Sequence, residues 1–388
     1  MSTLNSIEML SRLVAFPTVS RDSNLPLIDW VEDYVGQFGA RCRRTWNEEQ
    51  NKANLMVAIG PDAPGGVVLS GHTDVVPIDD QDWHTDPFKL TEKDGLLYGR
   101  GSSDMKGFSA VFLSRLATLD ITAMDKPLYL ALSYDEEVGC LGVSRMIDDA
   151  LAEFEKPDFA IIGEPTTMQI VRAHKAINSF RTLVTGKAAH SSQPHRGAGA
   201  IFAAARIMEH LYSIGQSRRE AADESPCEPP WTTVQVGIIN GGTAVNILPA
   251  HCEFLWEYRS LPEEDPDLII DALQTYVDEQ VLPDLREFAP DASIVTTRIA
   301  QVPPLLPDPD EKAEQFVQSL RGVREGGSGA VSFATEAGIF QKAGVSSVVC
   351  GPGSIDQAHQ PNEFIDPQEL TRCEAMIDDV FAYLYRSS

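Results

Sequence analysis

Apolar strands and amphipathic helices alternate along the N-terminal part of the chain, and no other sequence feature restricts the fold as strongly. Short apolar runs at 67–69, 128–132 and 159–162 predict buried strands. Apolar residues at helical spacing predict helices over 105–119 and near 141–153. Strands that alternate with helices in this way are typical of an α/β fold, in which helices cover both faces of a doubly wound, mostly parallel sheet.

A different pattern occupies residues 178–302 and predicts a second domain. Its predicted elements run strand, helix, strand, strand, helix, strand, at 178–185, 197–213, 233–240, 251–259, 266–280 and 293–300. This order is that of a ferredoxin-like α+β domain. A proline-rich run follows it, and a strand predicted at 347–350 resumes the first pattern. The sequence therefore predicts one discontinuous domain, 1–177 with 303–388, into which the domain 178–302 is inserted.

Composition argues against several functional classes. The chain has 57 acidic and 31 basic residues and a formal net charge of −26, which weighs against nucleic acid or anionic membrane as a partner. No apolar run approaches the ~18 residues of a membrane span, and the N-terminus lacks a signal-peptide pattern, so we predict a cytoplasmic protein. Six scattered cysteines without a C-x-x-C pair indicate reduced thiols, so a bound metal would need oxygen and imidazole ligands.

Histidines and carboxylates stand at the ends of the predicted strands or in the loops beside them. They are His72 with Asp74, Asp104, Glu136 with Glu137, Glu164, and His359. Ligands of open α/β sheets bind beyond the carboxyl ends of the strands, so these side chains are expected to converge. Two imidazoles and three carboxylates suit zinc, and they could hold two divalent ions if one carboxylate bridged them.

Each of these residues also has a simpler interpretation. The acidic triplet Asp135, Glu136 and Glu137 is, taken alone, typical of a solvated turn before a helix. Asp104 could cap the helix that follows it, and an isolated histidine is more often structural. From residue types and positions alone, a metal site and a set of unrelated polar residues are both open.

Five short segments around these residues resemble, in order and spacing, the dinuclear-zinc aminoacylase and carboxypeptidase family. They read S-G-H-T-D-V-V-P (70–77), L-Y-G-R-G-S-S-D-M-K-G (97–107), Y-D-E-E-V-G (134–139), G-E-P-T (163–166) and A-H-Q-P-N-E (358–363). The resemblance covers nearly the whole chain. It implies a zinc-peptidase-like sheet domain and an inserted ferredoxin-like domain that serves as lid and dimerisation domain.

The resemblance implies ligands for two divalent ions. Asp104 would bridge the two ions, His72 and Glu164 would complete the first, and Glu137 and His359 would complete the second. Zinc is the expected metal, and cobalt is the alternative.

The resemblance also implies which groups are catalytic. Glu136 would act as the general base, since adjacent residues of an extended chain point opposite ways and one carboxylate can ligate while its neighbour faces water. Asp74, two residues after His72, would orient that imidazole and raise its basicity. The peptide bond Asp104-Met105 is expected to be cis.

Two segments of the inserted domain, G-K-A-A-H-S-S-Q-P (186–194) and N-G-G-T-A-V-N-I-L-P (240–249), carry the same resemblance. The first implies that His190 reaches the active site of a partner subunit and stabilises the oxyanion, which requires a homodimer. The second, with Arg259, implies that Asn246 receives the substrate carbonyl while the guanidinium binds the α-carboxylate. Taken alone, His190 could be a surface histidine, and Arg259 could belong to a surface ion pair.

Segments near the C-terminus, T-E-A-G (335–338) and C-G-P-G-S-I-D-Q-A-H-Q-P (350–361), resemble the acetylornithine deacetylase branch of the family. They imply hydrolysis of a small N-acyl amino acid, N2-acetyl-L-ornithine, to L-ornithine and acetate in arginine biosynthesis. Gly353 and Ser354 become candidate substrate-binding residues. Glu336 would either meet the cationic side chain of ornithine or support the loop that carries Gly353.

Other activities of the family stay open, since they would share the metal site and differ only in the substrate pocket. They are deacylation of other N-acyl amino acids, desuccinylation of succinyl-diaminopimelate, and zinc carboxypeptidase or dipeptidase activity. Desuccinylases carry S-D-G-R where this chain has S-F-A-T-E-A (332–337), so a succinyl carboxylate would lack its arginine. A binding protein without catalysis is a further alternative, because a fold does not determine function.

Overall fold

A computed structural model describes residues 4–326 and 329–385 of the chain and divides it into two units. The first unit comprises Met1–Ala173, Leu305–Ala330 and Thr335–Ser388. The second comprises His174–Pro304 and Val331–Ala334. The domain limits predicted from the sequence place residues 174–177, 303–304 and 331–334 in the first unit, whereas the structure places them in the second.

The first unit is built on a mixed sheet that is parallel over most of its width. Within the described residues it has six strands, in the spatial order Arg41–Trp46, Ala53–Ile59, Leu128–Ser133, Val67–His72, Phe159–Ile162 and Ser346–Val349. The first two strands join the sheet antiparallel, and the other pairings are parallel. The predicted mostly parallel sheet is confirmed.

The central strand Leu128–Ser133 shows why this part of the chain folds as it does. Each of its residues is buried, because helices cover both faces of the sheet, and this explains its unbroken apolar sequence. Leu128 and Leu130 have no exposed surface, and the burial of such a side chain contributes about 1.5–3 kcal/mol. The strand therefore anchors the polar turn that begins after Ser133.

Helices of the first unit begin and end where the local sequence supports it. Asn5 caps the first helix and forms a capping box with Glu8, through two hydrogen bonds of 2.9 Å. Asp366 caps the last helix, which starts with proline at its first position. The helices are Ser6–Val14, Leu25–Gly36, Lys106–Arg115, Val143–Glu153, Lys312–Gln318, Ala337–Lys342 and Pro367–Tyr383.

Shorter elements complete the first unit. A small antiparallel sheet is formed by Phe364–Ile365, Leu96–Tyr98 and Thr91–Lys93. Single 3₁₀ turns span Leu116–Thr118, Ile121–Ala123 and Ile355–Gln357, and two-residue strands, Ala173–His174 and Ala330–Val331, stand at the boundaries between the units. The pairing of residue 364 with residue 98 holds the segment after His359 beside the segment before Asp104.

The second unit has an antiparallel four-stranded sheet, counted over the part of the chain that the structure describes. Its spatial order is Thr233–Gly241, His251–Arg259, Ile177–Thr185 and Ser293–Val302. The helix Ala200–Glu220 and the helical stretch Leu268–Tyr276, Val277–Val281 and Leu282–Phe288 supply its apolar core. The chain order of strands and helices is the ferredoxin-like order predicted from the sequence.

Aromatic residues form the centre of the second core. Phe180 stacks on Trp256 and Tyr258, with ring centroids 4.6 and 5.6 Å apart. All three alternate with more exposed neighbours along their strands, so one face of the sheet is buried against the helices. A smaller pairing, Ala189–His190 with Ile247–Leu248, lies outside this sheet.

Helix ends differ from the predicted ranges for local reasons. The helix predicted at 105–119 ends at Arg115 and tightens into a 3₁₀ turn. The helix predicted at 266–280 instead continues to Phe288 through a π-helical turn over Val277–Val281. Among the described residues, no helix combines the length and the apolar character needed to cross a bilayer.

Candidate metal centre

The predicted ligands of the first unit converge at the carboxyl edge of the central sheet. His72 ends its strand, Glu164 follows Phe159–Ile162 by two residues, and Glu136 lies in the turn after Leu128–Ser133. Parallel strands end at the same edge, so three separate segments of sequence meet there.

Asp104 lies between two histidines, and each of its carboxylate oxygens faces one of them. Oδ1 is 3.1 Å from Nε2 of His72, and Oδ2 is 3.4 Å from Nε2 of His359. Nε2 of His359 is also 2.9 Å from Oε2 of Glu137. A carboxylate with its two oxygens directed at two separate nitrogen ligands has the arrangement that a bridging ligand needs. The peptide bond Asp104-Met105 is cis, as predicted.

The geometry also brings the remaining ligand candidates together. Oε2 of Glu164 is 4.0 Å from Nε2 of His72. Potential ligand atoms of His72, Glu136 and Glu164 lie within 4.8 Å of one another, as do those of His72, Asp104 and Glu137. Oε1 of Glu164 is buried and has no hydrogen-bond partner within the described chain. A buried carboxylate oxygen without a donor is costly unless a cation meets it, so the residues present fit divalent metal ions.

The tautomer of His72 follows from its main-chain contact. Its Nδ1 lies 2.8 Å from the carbonyl oxygen of Asp74, so the ring donates from Nδ1, and Nε2, which faces Asp104, is the nitrogen that would bind a metal ion. The resemblance implies that the Asp74 side chain orients this ring. That prediction is wrong in its detail, because the Asp74 carboxylate is 3.7 Å from Nδ1 whereas the carbonyl makes the hydrogen bond.

The Asp74 carboxylate instead holds the acidic turn in place. Its Oδ1 accepts the main-chain N–H of Glu136 at 3.2 Å, and its Oδ2 accepts that of Glu137 at 3.3 Å. Ser20 donates its hydroxyl to the same carboxylate at 2.7 Å. Asp74 is buried, so these hydrogen bonds set the directions in which the two glutamates project.

Asp135, the first acid of the triplet, has a structural role. Asp135 has a left-handed backbone with φ +56°, and its carboxylate accepts a hydrogen bond of 2.6 Å from Nζ of Lys52. The ion pair is largely shielded from solvent, since the two side chains are 12% and 14% exposed. Asp135 therefore anchors the turn, a role that no local sequence pattern indicates.

Negative charge accumulates in the cluster. Burial, followed by repulsion from Asp104, raises the pKa of Glu137 from 4.5 to about 7. Burial, followed by the charge of Glu136, raises the pKa of Glu164 well above its ordinary value. Burial tends to lower the pKa of His72, but its hydrogen bond with Asp104 and the nearby carboxylates outweigh this effect and raise it well above 6.5. Bound cations would relieve this repulsion, which is a further sign of a metal centre.

Glu136 is a half-buried carboxylate of the cluster. Burial is the main reason that its pKa lies well above the ordinary value, and the charges of Glu137 and Glu336 add to the effect while His72 opposes it. Sγ of Cys140 lies 3.3 Å from Oε1 of Glu136 and donates to it. A carboxylate with a raised pKa beside a metal cluster is suited to accept and return a proton.

Glu336 lies in the interior of the first unit. The side chain is 1% exposed, and its Oε2 accepts the hydroxyl of Ser70 at 2.9 Å. The interior position explains why its pKa is raised, with burial as the largest cause. Glu336 is thus a buried neighbour of Glu136, and its contact with the ornithine ammonium stays a prediction. The hydrogen bond connects Glu336 to Ser70 on the strand Val67–His72, and not to the loop around Gly353.

Gly353 and Ser354 lie next to the segment that leads into Asp104. Gly353 has φ +91°, and a Cβ there would come within 2.3 Å of Oγ of Ser103, so only glycine fits. The carbonyl of Ser354 accepts the Ser103 hydroxyl at 3.3 Å. Both residues therefore lie beside Ser103, the neighbour of Asp104, and their contact with substrate stays a prediction.

His190 and Asn246 are brought together in the second unit. The short strands that contain His190 and Ile247 pair directly, and the main-chain N–H of Ser191 donates to the Asn246 carbonyl at 3.0 Å. Nδ1 of His190 accepts the N–H of Ser192 at 3.2 Å, which leaves the proton on Nε2. Both His190 and Asn246 are exposed, so the pair presents hydrogen-bond donors to solvent.

Arg259 ends a different strand of the second unit. Its Nε donates to Oε1 of Glu257 at 3.0 Å, and the two side chains are 33% and 36% exposed. The ion pair orients the guanidinium and leaves both Nη groups for another partner.

Sequence reasoning missed several residues that support the cluster. Glu363 belongs to the segment A-H-Q-P-N-E, but only His359 was assigned a role there. The buried Arg100 and its neighbour Gln81 were also missed, since a long cation before an aspartate has no distinctive pattern. Of these residues, only Glu363 could have been suspected from the sequence, because it lies four residues after His359 in the same short segment.

Comparisons with known proteins agree with this geometry. Residues 68–382 match the family described as peptidase family M20/M25/M40. The chain is similar to acetylornithine deacetylases from Photorhabdus laumondii (35% identity, 93% of this chain and 92% of the relative) and Myxococcus xanthus (36% identity, 96% of each). Its fold is similar to a dinuclear metal-binding M20 peptidase from Bacillus subtilis, with a TM-score of 0.66, 14% identity and coverage of 98% and 97%.

The matched region contains each strand end of the ligand cluster, from His72 to His359. The curated relatives align with the chain over nearly their whole length. The chain therefore belongs to the peptidase family M20/M25/M40 and is a hydrolase of amide bonds.

Proposed function

We propose that this enzyme removes the acetyl group from N2-acetyl-L-ornithine and releases L-ornithine and acetate, a step of arginine biosynthesis. The observation that carries the hydrolytic part is Asp104 between His72 and His359, with Glu136 in the same cluster. The choice of substrate is supported by the acetylornithine deacetylases to which the chain is similar.

The proposed cofactors are two divalent ions, zinc in the first place and cobalt as the alternative. Asp104 would bridge them, with His72 and Glu164 on one side and Glu137 and His359 on the other. When bound, such ions polarise the amide carbonyl and lower the pKa of water toward neutrality. The donor set of imidazole and carboxylate groups without a thiolate suits either metal.

The proposed chemistry of the protein groups is proton transfer and orientation. Glu136 accepts a proton from the attacking water as the C–O bond forms, and returns it to the amine nitrogen as the C–N bond breaks. Cys140 holds the Glu136 carboxylate in place, while Asp74 fixes the turn beneath it. His190 of the partner subunit would donate its Nε2 proton to the oxyanion.

Substrate recognition is proposed for the exposed groups of the second unit. Arg259 would bind the α-carboxylate in a bidentate manner, for which its ion pair with Glu257 pre-orients the guanidinium. Asn246 would contact the carbonyl, and Gly353 and Ser354 would line the acyl side. The cytoplasmic location remains a prediction from the sequence.

A homodimer through the inserted domain is part of this proposal. The strand Thr233–Gly241 is an edge of its sheet, and Ile238 and Ile239 on it are 52% and 49% exposed. On the adjacent helix Phe202 is 84% exposed. An apolar edge strand with open N–H and C=O groups favours pairing with a second copy of the same chain.

Carboxypeptidase, dipeptidase, desuccinylase and other deacylase activities are the rival functions, and a substrate panel separates them. Metal-free enzyme is reloaded with zinc or cobalt and given N2-acetyl-L-ornithine, other N-acetyl amino acids, N-succinyl-diaminopimelate and dipeptides. We expect the highest kcat/KM on N2-acetyl-L-ornithine. A higher value on dipeptides would overturn the proposed substrate, and the absence of any metal-dependent turnover would favour a binding protein.

A further inference from the structure

Glu363 has no exposed surface, and its carboxylate gathers donors from one short loop. Oε1 accepts the main-chain N–H groups of Ser103 at 2.8 Å and Asp104 at 3.0 Å. Oε2 accepts the N–H of Gly101 at 2.9 Å and Nη1 of Arg100 at 2.8 Å. The carboxylate therefore fills a ring of converging donors that immediately precedes the proposed bridging ligand.

This loop needs an external acceptor. Gly101 has φ +79°, so the chain turns sharply and points successive N–H groups inward, away from solvent. Buried N–H groups without an acceptor are strongly disfavoured, and Arg100, 1% exposed, would also lose its counter-charge. Without the Glu363 carboxylate the loop would relax, and the Asp104 main chain would move with it.

A second path connects the same carboxylate to His359. Nη2 of Arg100 donates to Oε1 of Gln81 at 2.7 Å, and Nε2 of Gln81 donates to the carbonyl of His359 at 3.3 Å. Trp83 supports this path, since its Nε1 donates to Gln81 at 3.0 Å and its ring lies 5.1 Å from the Arg100 guanidinium. Glu363 thus contacts Asp104 directly and is connected to His359 through Arg100 and Gln81. Asp104 and His359 are two of the residues proposed to hold the second ion.

We propose that Glu363 is a positioning residue that fixes Asp104 and His359 relative to each other, with Arg100 and Gln81 as the connecting groups. The inference rests on the two-ion centre of the proposed function. His72 stands on a strand of the central sheet and does not depend on this network. Both proposed ions share Asp104, but only one of them also depends on His359, so damage to the network should weaken the ion held by Glu137 and His359 more than the ion held by His72 and Glu164.

The test measures metal binding directly. Metal-free wild type, Glu363→Gln and a control are titrated with Co²⁺ by calorimetry, and the visible d–d spectrum is recorded after each addition. In E363Q an amide nitrogen meets main-chain N–H groups, so we expect the affinity for one of the two ions to fall by about 10–100-fold. The spectrum of that ion should change, whereas a merely structural role would leave the spectrum of the folded variant unaltered.

Asp158→Asn is the matched control. Asp158 also accepts a main-chain N–H, that of Gly66, together with Nζ of Lys126 and the hydroxyl of Tyr383, but it precedes the amino end of its strand. We expect D158N to bind both ions as the wild type does. Two wild-type affinities and a wild-type spectrum in E363Q would overturn the inference, even if its unfolding free energy fell.

A second variant applies if E363Q does not fold. Gln81 is only partly buried, and Gln81→Ala removes the link to His359 while Glu363 stays in place. In Q81A we expect weaker binding of one ion and unchanged binding of the other. Wild-type affinities for both ions in this variant would overturn the proposal. If the wild type itself binds no ion, the metal centre of the proposed function fails as well, so the two failures are distinguishable.

Discussion

Sγ of Cys140 lies 3.3 Å from Oε1 of Glu136, so a buried thiol donates to the carboxylate proposed as the general base. The thiol is a weak donor, and its loss should free the carboxylate to rotate. We expect Cys140→Ala to lower kcat by about 3–10-fold at unchanged KM, in line with a hydrogen bond worth about 1 kcal/mol. Cys140→Ser, which retains a donor, should recover most of the rate. A serine variant no faster than the alanine variant would contradict this role.

Glu136→Gln should nearly abolish turnover. The amide cannot accept a proton, and general-base catalysis contributes typically ~10²–10⁴-fold. We expect kcat to fall by about 10³-fold while two metal ions still bind, as measured by metal analysis of the dialysed protein. Near-full turnover in this variant would exclude Glu136 as the base, and loss of a metal ion would indicate that it ligates instead.

Asp74→Ala should disturb the acidic turn more than it disturbs His72. The ring of His72 is held by the main-chain carbonyl of residue 74, which the substitution keeps, whereas Glu136 and Glu137 lose the acceptor of their N–H groups. We expect kcat to fall by about 10–100-fold, together with weaker binding of the ion held by Glu137. Ser20→Ala removes only a donor to Asp74 and should have a smaller effect. Equal losses of kcat in D74A and S20A would contradict the role of Asp74 as the acceptor of the two glutamate N–H groups.

The metal-free protein should lose stability as the pH rises. The folded-state pKa of Glu137, about 7, exceeds its ordinary value of 4.5, so between these values the folded state binds more protons than the unfolded chain. The corresponding stabilisation is complete below pH 4.5 and is lost toward pH 7, with a slope of at most about 1.4 kcal/mol per pH unit. His359, raised from 6.5 to about 10, extends the decline to higher pH.

Urea unfolding at several pH values, with and without zinc, measures this effect. We expect zinc to remove most of the decline, because the cation replaces the protons that the folded cluster retains. Glu137→Gln imitates the protonated acid, so the metal-free variant should show a flatter dependence between pH 4.5 and 7 than the wild type. The same slope in both proteins would show that Glu137 is not responsible.

Ile238→Lys should convert the proposed dimer into a monomer. The substitution places a charge on the exposed edge strand Thr233–Gly241, which disfavours pairing of two edges. Val295→Lys is the matched control, since Val295 is 53% exposed and lies on the opposite edge strand of the same sheet. Sedimentation velocity should find a monomer only for the first variant, with a reduced deacetylation rate. Dimers in both variants would place the interface elsewhere.

The central sheet could be predicted from the sequence because buried strands have a local apolar pattern, whereas the set of proposed ligands followed from the family resemblance. An apolar strand such as Leu128–Ser133 can be recognised from its own residues, and an acid after such a strand is placed by the sheet. The helix that continues to Phe288 was predicted too short, since a π-helical turn shifts the apolar spacing.

Contacts between distant segments could not be predicted in the same way. Glu336 is buried and accepts the hydroxyl of Ser70, and nothing in the local sequence T-E-A-G indicates this burial or this partner. The predicted acceptor for the Nδ1–H of His72 was the Asp74 carboxylate, but the main-chain carbonyl of the same residue accepts it. Both oxygens belong to one residue, so the sequence alone does not separate them. The backbone geometry decides between them, and the sequence does not contain it explicitly.

Asp104 and Glu363 are separated by 259 residues of chain, although their atoms are 3.0 Å apart. During synthesis, the strands that carry His72, Glu136 and Glu164 leave the ribosome long before the carboxylate that gathers the loop around Asp104. A nascent chain that ends before residue 359 lacks both that carboxylate and one histidine. The proposed metal centre can therefore be completed only after residues 359 and 363 have been synthesised, and a prematurely terminated product would lack part of it.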